Sequence, residues 1–319
     1  MKVLVVGPGA MGTLFSGMLA LGGHEVWLLG RRPDVVAAIA QEGVTLVQGE
    51  RKQRVMVRAT ARAEDAGPSD LVIIFVKAYD TLRAAEDAVP AVGPSTVVLT
   101  LQNGLNNVET IASVVGRDRV LAGVTAHGAT LLGRGVVLHA GEGETTIGEL
   151  DGRKTQRLKT VATAFRQAGI EVTFCKALNS LIWGKLVLNA SINPLTALLS
   201  VPNGELLARA DARQLMAAAA LEAANVAQKM DVRLPYSDPI EKVEAVCRLT
   251  ASNRSSMLQD VDRGVQTEID YINGAVVKEG EARGIPVPIN WTLTRLVRAL
   301  TKGGDGIAHP TETRRRRRQ

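Results

Sequence analysis

The chain has 319 residues, 46% of them apolar, and a formal net charge of +6. This length and composition suit about two globular domains with real cores and exclude a disordered or fibrous chain. Arg314 to Arg318 carry five of the positive charges and leave +1 for the rest, so the basic balance reflects a tail and not a basic binding face.

Lys2 and the apolar residues after it could open a secretory leader, but Gly7, Pro8, Gly9 and Gly12 interrupt the run. Residues 3–6 read instead as a strand, and residues 10–21 as a helix entered through a glycine-rich turn. Residues 25–29 read as a second strand, and 33–41 as a helix with Pro33 at a permitted early position. Residues 44–47 and 55–57 are short strand candidates. Residues 71–76 form a continuous apolar run, as a parallel strand buried on both faces requires. Residues 96–99 and 120–124 look similar. This alternation predicts an α/β fold built on a Rossmann-type doubly wound parallel sheet.

After about residue 175 the texture changes to alanine, leucine, glutamate and arginine, and strand signals largely vanish. Residues 206–230, 240–258 and 267–283 are predicted helices, so the second half reads as all-helical. The expected organisation is a nucleotide-binding domain over 1–174, a link near 174–177, a helical substrate and catalytic domain over 175–306, and a basic disordered tail over 307–319. Such a tail can attract nucleic acid or acidic membranes, but a solvated end is the simpler reading. No segment offers about 18 uninterrupted apolar residues, so no membrane span is expected. Cys175 and Cys247 lie far apart and the four histidines are scattered, which argues against a metal site or a disulfide framework and suits a reducing cytosol.

Gly7-Pro8-Gly9-Ala10-Met11-Gly12 follows a strand and opens a helix. Gly7 permits the tight turn, Gly9 lets a pyrophosphate approach the backbone, and Gly12 lets helix and strand pack closely. The helix N-terminus adds free N–H groups and partial positive charge. An NAD enzyme usually ends its second strand with a carboxylate, whereas here Leu29-Gly30 is followed by Arg31 and Arg32. Two guanidiniums suit a 2′-phosphate, which points to NADPH with Arg31 as the stronger ligand. Surface arginines at a helix start are the alternative.

Lys77 ends the 71–76 strand. It either faces the crevice where such sheets bind ligands or snorkels out of the strand end. Asn103, in Gln102-Asn103-Gly104, can orient a nicotinamide or a substrate, or serve a turn. Lys185, Asn189 and Asn193 are spaced by four and drift only about 80° around a helix, so they form one stripe. An amphipathic helix can show such a stripe to solvent. Here Leu186, Val187, Leu188 and Ile192 surround it, and a lysine among apolar neighbours must find partners or shift its pKa. Asn193 precedes Pro194, so the helix should break there.

The stretch Trp183 to Ala197 with Pro202-Asn203-Gly204-Glu205-Leu206 resembles the ketopantoate reductase family. Ser255-Ser256-Met257-Leu258-Gln259-Asp260, Glu268-Ile269-Asp270-Tyr271-Ile272-Asn273-Gly274, Gln102-Asn103-Gly104 and Lys77 resemble it as well. The likeness spans about residues 1 to 300 and leaves the arginine tail outside it. It implies cofactor contacts from Gly7, Pro8, Gly9, Ala10, Met11, Gly12, Lys77, Asn103 and Ala129. It implies Lys185 as general acid and Asn189, Asn193 and Asn203 as holders of substrate polar groups. Asn253, Arg254, Ser255 and Ser256 would line the substrate pocket, and Glu268 would lie at the nicotinamide end as a catalytic and positioning carboxylate.

The expected activity is NADPH-dependent reduction of 2-dehydropantoate to (R)-pantoate, a step toward coenzyme A, in the cytoplasm. A nearby carboxylate, with Glu268 the candidate, would keep Lys185 protonated against burial. Reduction of another branched 2-oxo acid is the first alternative, and a non-enzymatic NADPH sensor with a nucleic-acid-binding tail the second. The long helices offer either a homodimer interface or an intrachain core.

Overall fold

A computed structural model describes residues 1–301. The expected tail over 307–319 lies outside the described residues. The strands are β1 (Lys2–Val6), β2 (Glu25–Leu29), β3 (Val44–Gln48), β4 (Arg51–Val55), β5 (Arg58–Thr60), β6 (Ser69–Ile74), β7 (Val92–Thr100), β8 (Val120–Thr125), β9 (Gly128–Gly133), β10 (Val136–Gly141), β11 (Thr145–Glu149) and β12 (Val172–Phe174). Helices α1 (Ala10–Leu21), α2 (Pro33–Glu42), α3 (Ala63–Ala66), α4 (Thr81–Ala88), α5 (Asn107–Val115) and α6 (Gln156–Gln167) alternate with them. After β12 come α7 (Leu178–Leu199), α8 (Glu205–Ala208), α9 (Ala210–Lys229), α10 (Pro239–Leu249), α11 (Ser256–Asp262), α12 (Asn273–Glu281) and α13 (Pro288–Thr301).

The main sheet has the order β12-β11-β8-β7-β6-β1-β2-β5. It is parallel from β8 to β5, and β11 runs antiparallel to β8. Its central strands are buried on both faces, which is why residues 3–6 and 71–74 read as unbroken apolar runs. A second sheet, β4-β3-β10-β9, was not anticipated. It covers α1, whose buried Thr13, Leu14, Phe15, Ser16 and Leu19 leave the helix little polar face. Gly17 makes that sandwich possible, because a Cβ there would meet Leu46 of β3 at 2.7 Å. The strand signal in β9 and β10 was diluted by glycines, although Gly133-Arg134-Gly135 between two apolar runs is itself a hairpin cue.

Several local expectations are corrected. Of the strand expected at 55–57, only Val55 lies in one, at the end of β4, and Met56 and Val57 fall in the gap before β5. The helix over 206–230 is broken at Arg209, and that over 240–258 stops at Leu249, before α11 restarts under a Ser255 cap. The 267–283 helix begins only at Asn273, after a short turn of 3₁₀ helix over Ile269–Tyr271.

The break expected at Pro194 does not occur, and α7 continues to Leu199. A proline lacks the N–H that would reach the carbonyl four residues earlier. That carbonyl, on Ala190, instead accepts from the Asn273 side-chain amide at 2.8 Å. Asn273 is fully buried and also donates to Asn290 Oδ1 at 3.0 Å. Tertiary structure supplies the bond that the backbone cannot.

Candidate active site

The β1–α1 turn fits the dinucleotide expected there. Gly7 has φ +106°, and a Cβ on it would meet Val76 Cγ1 at 2.9 Å. A Cβ on Gly12 would strike the Gly7 carbonyl oxygen. Gly9 faces open space, with nothing within 4 Å of where a Cβ would stand. The three glycines thus supply turn, open approach and close packing in the expected order. No side chain caps α1 and no acidic residue lies in its first turn, so its N–H groups are left for an anion. Among the described residues, no cluster of three or more metal-ligating side chains is present.

The C-terminal ends of β6, β7 and β8 converge on α7 and on residues 260–273, where a doubly wound sheet binds ligands. Lys185, on α7 and half-buried, donates to the Thr125 carbonyl at the end of β8 over 2.9 Å. Burial pushes its ammonium down to about 8 from 10.5, and the charge of Glu268 opposes that fall. Asn189, one turn on, lies at the long distance of 3.5 Å from Asn103 Oδ1 in the loop after β7. Asn193 continues the stripe into the buried interior. The 103–105 loop docks on the helical half through Leu105 N–H, which donates to the Tyr271 carbonyl at 3.1 Å.

Lys77 does not snorkel. Its ammonium lies 2.5 Å from Asp260 and 3.4 Å from Glu268. These carboxylates are only 3% and 5% exposed. Glu268 also accepts from the Ala78 N–H at 3.0 Å. Burial pushes the Lys77 ammonium down, but Glu268 and Asp260 outweigh it and leave its pKa above the ordinary lysine value. Burial raises the Asp260 carboxyl despite Lys77. Lys77 and Asp260 thus both hold their protons more tightly than such groups ordinarily do. Asp260 stood in a quoted motif, but nothing in the sequence paired it with Lys77.

The remaining residues separate. The Asn203 side chain donates to Thr250 Oγ1 at 2.9 Å, and its N–H donates to the Asn253 carbonyl at 3.0 Å. Ser255 caps α11 by accepting from Leu258 N–H and receives the Thr196 hydroxyl at 2.7 Å, so its Oγ is already engaged. Ser256 begins α11, and exposed Arg254 pairs with Asp262. Ala129 lies in β9, packed against the core beneath α1. Arg31 lies beyond the end of β2, with Nη2 2.7 Å from Asp80. Arg32 pairs with Asp34 at 2.7 Å and points its charge away from that role.

Residues 3–152 match the family described as ketopantoate reductase PanE/ApbA, and residues 177–301 match its C-terminal counterpart. The chain belongs to the ketopantoate reductase family. It is 39% identical over 305 residues to the 2-dehydropantoate 2-reductase of Halobacterium salinarum, covering 95% of this chain and all of that protein. A PanE/ApbA family ketopantoate reductase from Ralstonia eutropha JMP134 superposes with a TM-score of 0.87 at 36% identity, covering 94% of this chain and 98% of that one. D-mandelate dehydrogenase, in a ternary structure with NADH and anilino(oxo)acetate, superposes with a TM-score of 0.89 at 29% identity over the same shares. Among the described residues, no helix is long and apolar enough to cross a membrane.

Proposed function

We propose that this ketopantoate reductase reduces 2-dehydropantoate to (R)-pantoate with NADPH, in a reducing cytoplasm. Residues 1–174 form the nucleotide-binding domain, and the helical part that begins at residue 175 forms the substrate domain. The carrying observation is Lys185, a half-buried lysine on α7 that donates to the Thr125 carbonyl at the end of β8 and whose pKa burial lowers to about 8.

A bound reduced nicotinamide would supply the hydride. Gly7 to Gly12 and the first turn of α1 would hold the pyrophosphate, and Arg31 the 2′-phosphate. Lys77 would reach the cofactor from the end of β6, and Asn103 would orient it from the loop after β7. Ala129 would complete the contact from β9. As the ketone becomes an alcohol, negative charge develops on its oxygen. The Lys185 ammonium stabilises that charge and delivers the proton, and the group is restored by a proton from water. A pKa near 8 suits an acid working near neutrality better than the ordinary lysine value does. Glu268 keeps the ammonium charged, and its own position is fixed by Lys77 and Ala78 N–H. Asn189 and Asn193 would hold substrate polar groups along the same helix face. Asn203 and Asn253, which meet through a backbone hydrogen bond, would close the carboxylate end with Arg254, Ser255 and Ser256 beside them.

The likeness to D-mandelate dehydrogenase favours a second reading, an NADH-linked reductase of an aryl 2-oxo acid. Following NADPH and NADH absorbance with 2-dehydropantoate, 2-oxoisovalerate, pyruvate and phenylglyoxylate separates them. Rapid oxidation of NADPH by 2-dehydropantoate is expected. Turnover confined to another ketone would retain the Lys185 chemistry and discard the named substrate.

A further inference from the structure

Arg31 and Asp80 approach each other from the ends of two different strands. Arg31 follows β2, and Asp80 closes the 3₁₀ turn Ala78–Asp80 after β6. Strand β1 lies between β2 and β6, so the pair spans the edge from which the Gly7–Gly12 turn opens. The guanidinium Nη2 and carboxylate Oδ1 are 2.7 Å apart, with side chains 42% and 31% exposed. A ligand can reach both groups. An ion pair this exposed is held by only about 0–1 kcal/mol, so a bound anion can compete for the arginine.

We propose that Asp80 is a specificity-determining residue that weakens this chain's discrimination between NADPH and NADH. This rests on the reading of Arg31 as the 2′-phosphate ligand. A 2′-phosphate would share Arg31 with a carboxylate already on it and would meet that carboxylate's negative charge. A ribose 2′-hydroxyl would find in Asp80 the acceptor that NAD enzymes place at the end of β2. The chain therefore carries both recognition groups, one from each strand end. Arg32 pairs with Asp34, which Arg134 also reaches at 2.9 Å. Arg31 further lines an open groove of about 550 Å³ with Arg62, Arg83, Glu64, Glu86 and Asp87, a wall of mixed sign that adds no net cationic preference.

The test is calorimetric titration of the full chain with 2′,5′-ADP and 5′-AMP, which reads the adenosine end without turnover. Wild type, Asp80→Asn, Asp80→Ala and Arg31→Ala are compared. Both Asp80 variants should shift the ratio of the two dissociation constants roughly three- to tenfold toward 2′,5′-ADP, the range of an exposed charge interaction. The ratio of NADPH to NADH Michaelis constants should move the same way. Arg31→Ala should shift both ratios in the opposite direction. An unchanged ratio in both Asp80 variants, with Arg31→Ala still shifting it, overturns the role of Asp80 and leaves the Arg31 reading standing. If Arg31→Ala also leaves the ratio unchanged, the NADPH reading falls with it. Equal weakening of both nucleotides by Asp80→Ala would reduce Asp80 to a support of the loop and would likewise overturn the proposal.

Discussion

Replacing Lys185 with methionine should separate catalysis from stability. The lysine pKa falls from 10.5 to about 8 in the fold. Each tenfold change in proton affinity is worth about 1.4 kcal/mol, so holding the ammonium there costs the fold about 3 kcal/mol. Partial exposure screens this to about 2 kcal/mol. Methionine removes that cost and loses the 2.9 Å bond to the Thr125 carbonyl. Lys185 is only half-buried, so water can replace that bond and its loss costs about 1 kcal/mol. The variant should then be about 1 kcal/mol more stable than the parent at pH 7, a rise in Tm of roughly 2 °C. Below pH 8 both folded and unfolded wild type are protonated, and the full cost is present. Between 8 and 10.5 the native state gives up its proton while the unfolded state keeps it, so wild-type stability rises with pH. The advantage of the variant should shrink across that window, vanish about midway through it, and give way to a wild-type lead of about 1 kcal/mol, the worth of the retained bond, near its upper end. Turnover should meanwhile fall by about 10²–10³, the usual loss on removing an acid that also stabilises the developing charge. Thermal melts at pH 7 and pH 10, with NADPH oxidation at pH 7, check both. A variant that melts well below wild type, by the same margin at both pH values, would refute the idea that Lys185 is held at a cost to the fold.

The same reasoning predicts that wild-type turnover declines above about pH 8 as Lys185 loses its proton, and that Glu268→Gln moves the decline to lower pH. A pH–rate profile of each protein shows whether the limb moves. Asn273→Ala should destabilise by about 2 kcal/mol, because it leaves the Ala190 carbonyl buried beside Pro194 without a donor. Urea denaturation measures this, and an effect below about 0.5 kcal/mol would show that α7 passes Pro194 unaided. Lys77→Met should cost about 3 kcal/mol at neutral pH, since it strands Asp260 and Glu268 without a cation. Burial raises the Asp260 carboxyl, and losing the cation should raise it further. A carboxyl with a raised folded pKa is neutral below that pKa, so the loss should fade as pH falls. Melting curves from pH 5 to 8 would contradict this if the difference stayed constant.

Much of the fold was legible because its signals are local. The unbroken apolar runs of β1 and β6 announce burial on both faces, and the glycine turn announces its own backbone. Residues 128–141 were harder. Their glycines and mixed polarity lack a strand period, and they become β9 and β10 only because α1 and β3 offer something to pair with and cover. The long helical runs were overextended for a related reason. Alanine-rich sequence propagates a helix on paper, whereas α11 begins where Ser255 caps it while accepting from the Thr196 hydroxyl.

The amino-acid sequence by itself determined the alternating α/β half, the helical half, the dinucleotide turn and the spacing of Lys185, Asn189 and Asn193. Each of these is carried by neighbours within a turn or two along the chain. The tertiary structure alone decided that Lys77 would meet Asp260 and Glu268, that Lys185 would rest on Thr125, that Asn273 would carry α7 past Pro194, and that Asp80 would hold Arg31. These are interactions between charges and dipoles brought together from distant points of the chain. Their strength depends on distance and burial, and neither exists until the chain has folded.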